Sequence, residues 1–460
     1  MTKQDVSTEL INIDNFVQGS PLPYVVLDDS HTNAAYPERK LEIRGGGFGS
    51  DAAAHPTNAN QFYVLADRGP NADFEGIAGK GKQFLVPDYT PRIGLFELQD
   101  DGSITRIKEI LLKDSSGKPI TGLPNPKALG GTNEVPYDVD GQPMTVNPNL
   151  PFDEVSNPIR TDINGLDPEG LAVLTDGSFW ISDEYGPHLV HYDADGVEIA
   201  RINPFASDER NNVVIDGKQI LLPPEFTKRR ANRGMEALSI TPDQTTLVGI
   251  MESSMDNPDK SGRISSLVRI VTINLDSGHI AQYLYRLDKA QHVTSGIVAL
   301  NSYEFYVIEH DRKFPLQDSS AQKLIYKINI VDATNIETIA STDIIKQDDT
   351  VGLTIDGQTL EQLIAESEDN WQVFESISIK PVKKSLVVDV LAALDYPHDK
   401  LEGLWLRQDG SLGLLNDDDF ALTDSTIINS KSTVEQKYLD SEKTIEDANR
   451  LYIVMPTEYN

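Results

Sequence analysis

The sequence predicts an all-β fold, specifically a β-propeller of four-stranded blades. Three observations support this prediction. Short β-rich runs alternate with Asp-Gly, Asn and Pro punctuation, which is typical of all-β folds. Convincing long amphipathic helices are scarce, and one four-strand pattern recurs along the chain. Repeats of four strands around a central channel characterise propellers, which typically have about four to eight blades.

The clearest repeat unit begins at Asp167 and ends near Phe205. Asp-Gly pairs at Asp176-Gly177 and Asp195-Gly196 mark two of its hairpin turns, because these residues tolerate the backbone angles that tight turns need. Its four predicted strands are Glu169–Leu174, Phe179–Asp183, Leu189–Tyr192 and Glu198–Asn203.

Four further units give five in total, and a sixth could be hidden in the insertions. They begin near Leu41, where the copy is most divergent, and at Gly234, Ser295 and Leu401. The last unit shows three strands before the chain ends. A strand from about residues 10–30, either Leu10–Val17 or Tyr24–Leu27, is expected to complete that blade and close the ring.

The whole chain, residues 1–460, is expected to form a single propeller domain. Three insertions interrupt the repeats, at 113–166, 206–232 and 346–384. Thr359–Phe374 within the last insertion has a helical period. We interpret all three as loops on the blade scaffold, which is where binding and catalytic residues are commonly found.

Composition excludes several classes of function. The chain has 40 Lys+Arg against 72 Asp+Glu, a net charge of -32, so it should repel nucleic acid and anionic lipid. It has no cysteine, which excludes thiolate metal sites and a Cys nucleophile. No stretch approaches the roughly 20 apolar residues of a membrane span, and the N-terminus shows no signal peptide. The expected partner is a small anionic substrate, and we expect a monomer.

Carboxylates recur at matching places in the repeats. Three units open the first strand with a glutamate, and most second strands end in a carboxylate, so antiparallel pairing brings both to one mouth of the channel. Hard oxygen ligands in this number predict a metal site, for Ca²⁺ before other divalent cations. The alternative for each residue is a turn cap or a solvated side chain. The predicted ligands are Asp67, Glu169, Asp183, Glu236, Glu252, Glu309, Glu402 and Asp417.

Basic residues are few, and several flank these carboxylates. Arg68, Arg233 and Arg312 are candidate catalytic residues that would clamp an anionic substrate, because guanidinium groups bind phosphate and carboxylate in a bidentate manner. The alternative is that each arginine is the counter-ion of a neighbouring acid. His310 is a candidate metal ligand or proton carrier. No G-x-S-x-G nucleophile elbow or Walker A loop is present.

Several motifs resemble those of the bacterial family known as "esterase-like activity of phytase". The resemblance extends from about Leu41 to Pro456, and it implies a secreted or periplasmic propeller that hydrolyses phosphoesters or carboxylesters. The fourth unit departs from the pattern, since Ser295-Gly296 stands in place of Glu-Gly. The motifs are DRGPN (67–71), DPEGLA (167–172), SDEYGP (182–187), NRGMEALSITPD (232–243) and EGLWLRQDGSLGLLNDDDF (402–420).

The leading functional hypothesis is a calcium-dependent, phytase-like hydrolase of phosphate esters. Bound Ca²⁺ would neutralise the substrate and activate a water, and the arginines would hold the phosphoryl oxygens. Two alternatives remain open. One is a metal-dependent lactonase or carboxylesterase, and the other is a non-catalytic, calcium-stabilised binding or surface module. The resemblance implies an extracellular or periplasmic location.

Overall fold

A computed structural model describes residues 18–32, 38–132, 134–428 and 431–457 of the chain. Its three α-helices are short: α1 Leu360–Glu366, α2 Asn370–Ser376 and α3 Val390–Ala393. Brief 3₁₀ turns occur at Lys127–Leu129, Pro224–Lys228, Lys260–Ile264, Ile336–Thr338 and Asp419–Ala421. Among the described residues, none of the helices has the length and apolar character needed to cross a membrane.

β-Strand is the predominant regular secondary structure among the described residues. The strands of the first half are β1 Ser20–Pro21, β2 Val26–Thr32, β3 Lys40–Arg44, β4 Phe48–Ala54, β5 Gln61–Ala66, β6 Asn71–Gly76, β7 Gly79–Phe84, β8 Arg92–Leu98, β9 Ile104–Leu111, β10 Val135–Tyr137, β11 Pro168–Val173, β12 Phe179–Asp183, β13 Leu189–Tyr192, β14 Glu198–Ile202, β15 Val214–Ile215 and β16 Lys218–Gln219. Those of the second half are β17 Met235–Ile240, β18 Thr246–Met251, β19 Leu267–Asn274, β20 Ile280–Arg286, β21 Val293–Ala299, β22 Glu304–His310, β23 Lys323–Asn329, β24 Ile345–Asp348, β25 Gly352–Ile355, β26 Gln358–Thr359, β27 Lys383–Asp389, β28 Gly403–Leu406, β29 Leu412–Leu415, β30 Leu422–Ile428, β31 Lys431–Gln436 and β32 Arg450–Val454.

Five four-stranded antiparallel sheets form the blades of a propeller, as the repeats predict. In sheet order they are blade 1 (β4-β5-β8-β9), blade 2 (β11-β12-β13-β14), blade 3 (β17-β18-β19-β20), blade 4 (β21-β22-β23-β27) and blade 5 (β28-β29-β32-β1). The first strand of each blade lies beside the first strand of the next, and β28 of blade 5 returns to contact β4 of blade 1. The ring is therefore closed around a central channel.

The innermost strands are joined by hydrogen bonds as well as by packing. The carboxylate of Asp51 in β4 accepts the backbone N–H of Leu171 in blade 2 at 2.8 Å and that of Leu404 in blade 5. Ser295 donates to the carbonyl of Leu401 at 2.5 Å, which connects blades 4 and 5. Because these bonds cross between blades, they fix the spacing of the first strands around the channel.

Apolar side chains fill the spaces between neighbouring blades. Tyr63 of blade 1 meets Phe179 of blade 2 edge to face, with ring centroids 5.1 Å apart. On the opposite side of blade 1, Phe62 stacks on Trp405 of blade 5 at 4.9 Å. Successive residues of one strand thus pack against different blades, as the alternation of side chains along a strand requires.

Blade 5 is completed by the short strand β1. Ser20 and Pro21 pair with Leu451 and Arg450, and the Arg450 guanidinium donates to the carbonyl of Gly19 at 2.7 Å. The closing strand therefore lies between the two segments predicted for it. Leu10–Val17 is outside the described residues. Tyr24–Leu27 is not the closing strand, because β2, which begins at Val26, pairs with β3 instead.

Blade 1 begins later than the repeat pattern suggested. The residues after Leu41 form β3 of the separate β2–β3 hairpin, and the first blade strand is β4, which starts at Phe48. Between them, Gly47 has φ +63°, and a Cβ at this position would lie 2.5 Å from the ring of Phe420. The chain can make this turn close to Phe420 because no side chain is present at Gly47.

The insertions are ordered structures that pack on the blades. In the region 113–166, β10 pairs with β7 in a three-stranded sheet with β6. The region 346–384 carries α1 and α2, so the helical period is confirmed as two helices. Buried Arg269 of blade 3 bonds Glu361 of α1 at 2.6 Å and Glu225 of the second insertion at 3.1 Å. This network fastens two insertions to blade 3.

Candidate functional site

A cavity of about 810 Å³ lies at the end of the channel where first strands begin and second strands end. Both acidic and basic side chains line it. The carboxylates include Asp67, Glu169, Glu184, Glu236 and Asp419, and the cations include Arg68, Arg312, Lys400 and Lys437. A polar cavity with charges of both signs can hold a cation on one side and an anion on the other.

Two of the three predicted first-strand glutamates are β-bulge residues. In blade 2, Pro168 pairs with Asp183 and Gly170 pairs with Ser182, so Glu169 is the extra, unpaired residue. Glu236 has the same place in blade 3. A bulge redirects a side chain relative to the regular strand. Ser295 is the equivalent bulge residue of blade 4, so this blade supplies no carboxylate from its first strand.

The second strands contribute one residue each at an equivalent position just after, or at, the end of the strand. The backbone N–H of Asp67, Glu184 and Glu252 each bonds the carbonyl of the residue before the first strand of its blade, at 2.9–3.4 Å. Blades 4 and 5 place His310 and Asp417 at this position by the same register. The set is therefore Asp67, Glu184, Glu252, His310 and Asp417. It keeps three of the predicted residues and has Glu184 in place of Asp183 and His310 in place of Glu309.

The difference arises from the hairpin that joins the first two strands. Between the last paired residues of the two strands, the connection has five residues in blade 2, 174–178, and six in blade 3, 241–246. Glu252, which is 16 positions after Glu236, is therefore equivalent to the residue 15 positions after Glu169. That residue is Glu184, not Asp183. Because side chains alternate along a strand, an error of one residue selects the opposite face.

Asp183 and Glu309 consequently lie outside the set that meets at the cavity. The Asp183 carboxylate accepts the backbone N–H groups of Asp167 and Gly186, both at 2.8 Å, and so holds the loop that follows β12. Glu309 is fully buried and accepts from Tyr285 at 2.7 Å, with Lys384 also at 2.7 Å. Both carboxylates are hydrogen-bonded to protein groups.

Among the described residues, seven carboxylates, which do not include that of Asp417, form three adjoining groups, each with one oxygen per residue, in which all three oxygens lie within 4.8 Å of one another. The central group takes one glutamate from each of three blades. Glu169 and Glu236 each belong to two groups, so the three groups share ligands. They are Asp67–Asp167–Glu169, Glu169–Glu236–Glu402 and Glu184–Glu236–Glu252.

Burial and mutual repulsion change the acidity of these groups. Burial first, and then the charges of Glu236 and Asp67, raise the pKa of Glu169 well above its usual range. Burial and the charge of Glu252 raise the pKa of Glu184 to about 7. For Asp417, burial raises the pKa to about 6 against the opposing charge of Lys400. Without a cation, Glu169 and Glu184 therefore retain protons at pH values where ordinary carboxyl groups are ionised, and Asp417 does so to a smaller extent.

Arg68 is buried and engaged with protein groups. Its guanidinium lies 2.9 Å from Asp167 and 3.5 Å from Glu134, and it donates to Asn232 at 2.8 Å. Its side chain is 6% exposed. Arg68 thus compensates the charge of the Asp67–Asp167–Glu169 group. Its main partner is Asp167, which sequence analysis did not single out.

Arg312 and Arg233 both pair with Glu252 of blade 3. Arg312 makes a close ion pair with this carboxylate, while Arg233 lies 3.5 Å away. The two differ in exposure, since the side chain of Arg312 is 42% exposed and that of Arg233 is 19% exposed. Arg312 also lines the cavity. It is therefore the more accessible arginine for a substrate anion.

Lysines compensate the carboxylates of blade 5. Lys400 lies 2.7 Å from both Asp417 and Asp419, and 3.8 Å from Glu402. Lys437 contacts Asp419 at 2.7 Å from the other side. Although burial alone would raise the pKa of Asp419, these two lysines lower it below its usual range. Asp419 is thus ionised and paired within the protein.

His310 is fully buried and neutral. Its Nδ1 lies 2.5 Å from the carbonyl oxygen of Asp311, so Nδ1 carries the proton and Nε2 is left as an acceptor. Nε2 has no hydrogen-bond partner. Burial first, and then the charge of Lys323, lower the pKa of His310 well below its usual value. Among the described residues, it belongs to none of the three carboxylate groups.

Solved structures with a similar course of the chain include a protein from Lactobacillus plantarum and the periplasmic gluconolactonase PpgL of Pseudomonas aeruginosa. The first is 8% identical and covers 90% of this chain and 92% of its own, and the second is 10% identical and covers 92% and 93%. Both have a TM-score of 0.31.

Sequence comparison finds nearer relatives. A protein of Arthroderma benhamiae named "Uncharacterized secreted protein" is 30% identical over 167 residues, which is 34% of this chain and 31% of that protein. The match thus spans about a third of the relative's length. The profile of the family described as "Phytase-like: Esterase-like activity of phytase" matches residues 43–420. Since this match covers most of the chain, the protein belongs to the phytase-like family.

Proposed function

We propose that the protein is a calcium-dependent hydrolase of phosphate esters whose site is the acidic mouth of the propeller. The observation that carries the proposal is the central group, Glu169, Glu236 and Glu402. Three glutamates from three blades bring their oxygens within 4.8 Å of one another. Among the described residues, Lys400 is the one cation within 4 Å of any of them, at 3.8 Å from Glu402.

The chemistry of these residues fits a hard divalent cation. Glu236 is 4% exposed, and no group in the described part of the chain hydrogen-bonds its Oε2. A buried carboxylate oxygen without a partner is costly unless a cation or a proton satisfies it. All donors in the group are carboxylate oxygens, which suit Ca²⁺, Mg²⁺ or Mn²⁺ better than zinc or copper. Calcium is favoured because it accepts many oxygens in loose geometry.

The residues around this group have complementary roles. When bound, a divalent cation would neutralise a phosphoryl group and lower the pKa of a water. Arg312 is exposed to the cavity and can hold phosphoryl oxygens through two N–H groups. Lys400 is placed between the carboxylates of blade 5 and the cavity, where its charge favours a bound anion. Arg68 and Arg233 compensate the charges of the buried carboxylates Asp167 and Glu252.

A second candidate is hydrolysis of carboxylesters or lactones, which the family description favours by naming an esterase-like activity. The same cation could polarise a carbonyl oxygen. A non-catalytic module stabilised by calcium is the third candidate. We also propose an extracellular or periplasmic location, which is supported by the secreted relative. There, calcium at millimolar concentration would keep the site loaded.

Product assays separate the three candidates. We expect release of phosphate from p-nitrophenyl phosphate in millimolar calcium, its loss with EGTA and its return on adding calcium back. The Glu309→Gln variant is the matched control, because it removes a buried glutamate outside the site and should remain active when folded. Turnover of p-nitrophenyl acetate or a lactone without phosphate release would replace the proposal with the second candidate. No turnover, with calcium still bound, would leave the third.

A further inference from the structure

We propose that Glu184, Glu236 and Glu252 form a second divalent-cation site, which the guanidinium of Arg312 fills in the resting protein and which an anionic substrate opens by drawing Arg312 away. The inference rests on the proposed function, because it assumes that the central group binds the first cation. It adds a rule for occupancy: one ion without substrate and two ions with it.

The three glutamates form a set of ligands that the protein does not fully use. One oxygen from each lies within 4.8 Å of the others. Glu252 is 0% exposed and Glu236 is 4% exposed. Among the described residues, neither Oε2 atom has a hydrogen-bond partner. Buried acceptors normally find partners, so these two oxygens indicate a place for a further cation.

Arg312 has the position expected of a removable cation. It follows β22 of blade 4, the blade in which Ser295 and His310 replace the carboxylates of other blades. From there it reaches Glu252 of blade 3, while 42% of its side chain stays exposed. The charge of Glu252, more than any other cause, raises the pKa of Arg312. A guanidinium and a metal ion cannot both neutralise the same carboxylate oxygens without repelling each other.

The other arginines of the site are less free to move. Arg68, which compensates the group around Asp167, is 6% exposed and is held by Asn232 at 2.8 Å. Arg233 is 19% exposed and would remain near Glu252 if Arg312 left. A phosphate group offers Arg312 a bidentate partner in exchange for its carboxylate. Of the three arginines, Arg312 is therefore the one that a substrate can recruit.

Equilibrium dialysis with calcium alone tests the second site. We expect one tightly bound ion per chain in the wild type and two in Arg312→Gln, with Arg312→Lys retaining one because the charge is kept. Arg286→Gln is the matched control, since Arg286 is a 49% exposed arginine in an ion pair with Glu368. It should bind one ion. An Arg312→Gln protein that binds one ion with unchanged affinity would overturn the inference.

Inorganic phosphate, kept below the solubility limit of its calcium salt, provides a second arm on the unmodified protein. Phosphate should raise the calcium affinity of the second site, so that wild-type occupancy rises from one ion to two. Calcium should raise the affinity for phosphate by the same factor, since coupling is reciprocal. Unchanged occupancy would contradict the inference. If the wild type binds no calcium under any condition, the proposed function fails instead, so the two failures are distinguishable.

Discussion

Glu252 and Glu309 are both fully buried glutamates near the ends of second strands, yet their surroundings differ. Glu309 is surrounded by donors, with Tyr285 and Lys384 each at 2.7 Å. Glu252 pairs with Arg312 and Arg233 through Oε1. It also faces two other glutamates, and its Oε2 has no hydrogen-bond partner among the described residues. Equivalent residue type and similar sequence position therefore do not imply the same role, because the face of the strand decides which groups a side chain meets.

Glu309→Gln should separate stability from calcium binding. His292 lies 2.9 Å from Glu309, and Lys384 also pairs with Asp288. The change leaves both partners facing a neutral amide on this side, and removing one partner of a buried ion pair typically costs about 3–5 kcal/mol. We expect a lower melting temperature and an unchanged calcium affinity, measured by thermal unfolding and titration calorimetry. A tenfold loss of calcium affinity in a folded variant would return Glu309 to the metal site.

The sequence predicted the first-strand glutamates because each stands at the start of a repeat. Their positions therefore do not depend on the length of the hairpin between the first and second strands. It predicted the second-strand set less well. The hairpin 241–246 is one residue longer than 174–178, and sequence repeats do not show where an extra residue is absorbed. Aligning the hairpin turns would have identified Glu184 and His310, because both lie 15 residues after the first-strand positions Glu169 and Ser295, as Asp417 does after Glu402.

At the scale of elements, blade 5 depends on a strand of two residues. Strand β1 contributes the pairs Ser20–Leu451 and Pro21–Arg450, and the backbone N–H of Leu22 bonds Asn449 at 3.0 Å. Leu22 itself is buried in the core between blades 5 and 1. The closing strand was predictable as a requirement of the repeat, but its position was not, because two residues carry no hydrophobic pattern.

Removing residues 1–23 should open the ring at blade 5. The outer edge of β32 would lose its partner, and the apolar space that Leu22 fills would be exposed. We expect loss of cooperative unfolding or aggregation, because exposed strand edges pair with other chains. Removal of residues 1–17 alone keeps β1 and is the matched control. A protein lacking residues 1–23 that melts like this control would show that closure does not need β1.

The insertions show how far repeat analysis reaches. Their positions were evident because they interrupt the four-strand rhythm, but their packing was not. The region 346–384 is inserted in blade 4 and packs on blade 3, where Trp371 and Phe374 join Leu267 and Leu284 in one core. Long-range contacts of this kind depend on shape and on single buried pairs such as Arg269–Glu361, which leave no periodic signal.

At the scale of the molecule, the net charge of -32 and the concentration of carboxylates at one mouth have the same consequence. Like charges destabilise the compact state unless protons or cations reduce the repulsion. Without calcium, proton retention reduces the repulsion in part, because the pKa of Glu184 is raised to about 7 and that of Asp417 to about 6. Calcium would replace these protons and relieve the same repulsion.

This exchange predicts opposite effects of pH with and without calcium. A carboxyl group whose pKa is higher in the folded state adds stability below its unfolded pKa of about 4, and this contribution is lost as pH rises through its folded pKa. For Asp417 and Glu184 the loss extends to about 6 and about 7. In EGTA, the part of the stability that these groups supply should therefore decrease between pH 4 and pH 7.

The increase in melting temperature caused by calcium should instead grow over the same interval, because protons and calcium compete for the same oxygens. Thermal scans at fixed ionic strength, with EGTA or with calcium at each pH, measure the difference directly. Effects of other titrating groups cancel in this difference, since they are present in both series. A calcium effect that stays constant from pH 5 to pH 8 would contradict the account.

The central claim is that Glu169, Glu236 and Glu402 together bind calcium, and titration calorimetry on their single Gln variants tests it most directly. Gln keeps the volume and removes the charge. We expect each variant to bind calcium at least tenfold more weakly than the wild type, with effects that do not add, because the three carboxylates share one ion. Glu309→Gln should bind like the wild type. Wild-type calcium affinity in all three variants would contradict the claim.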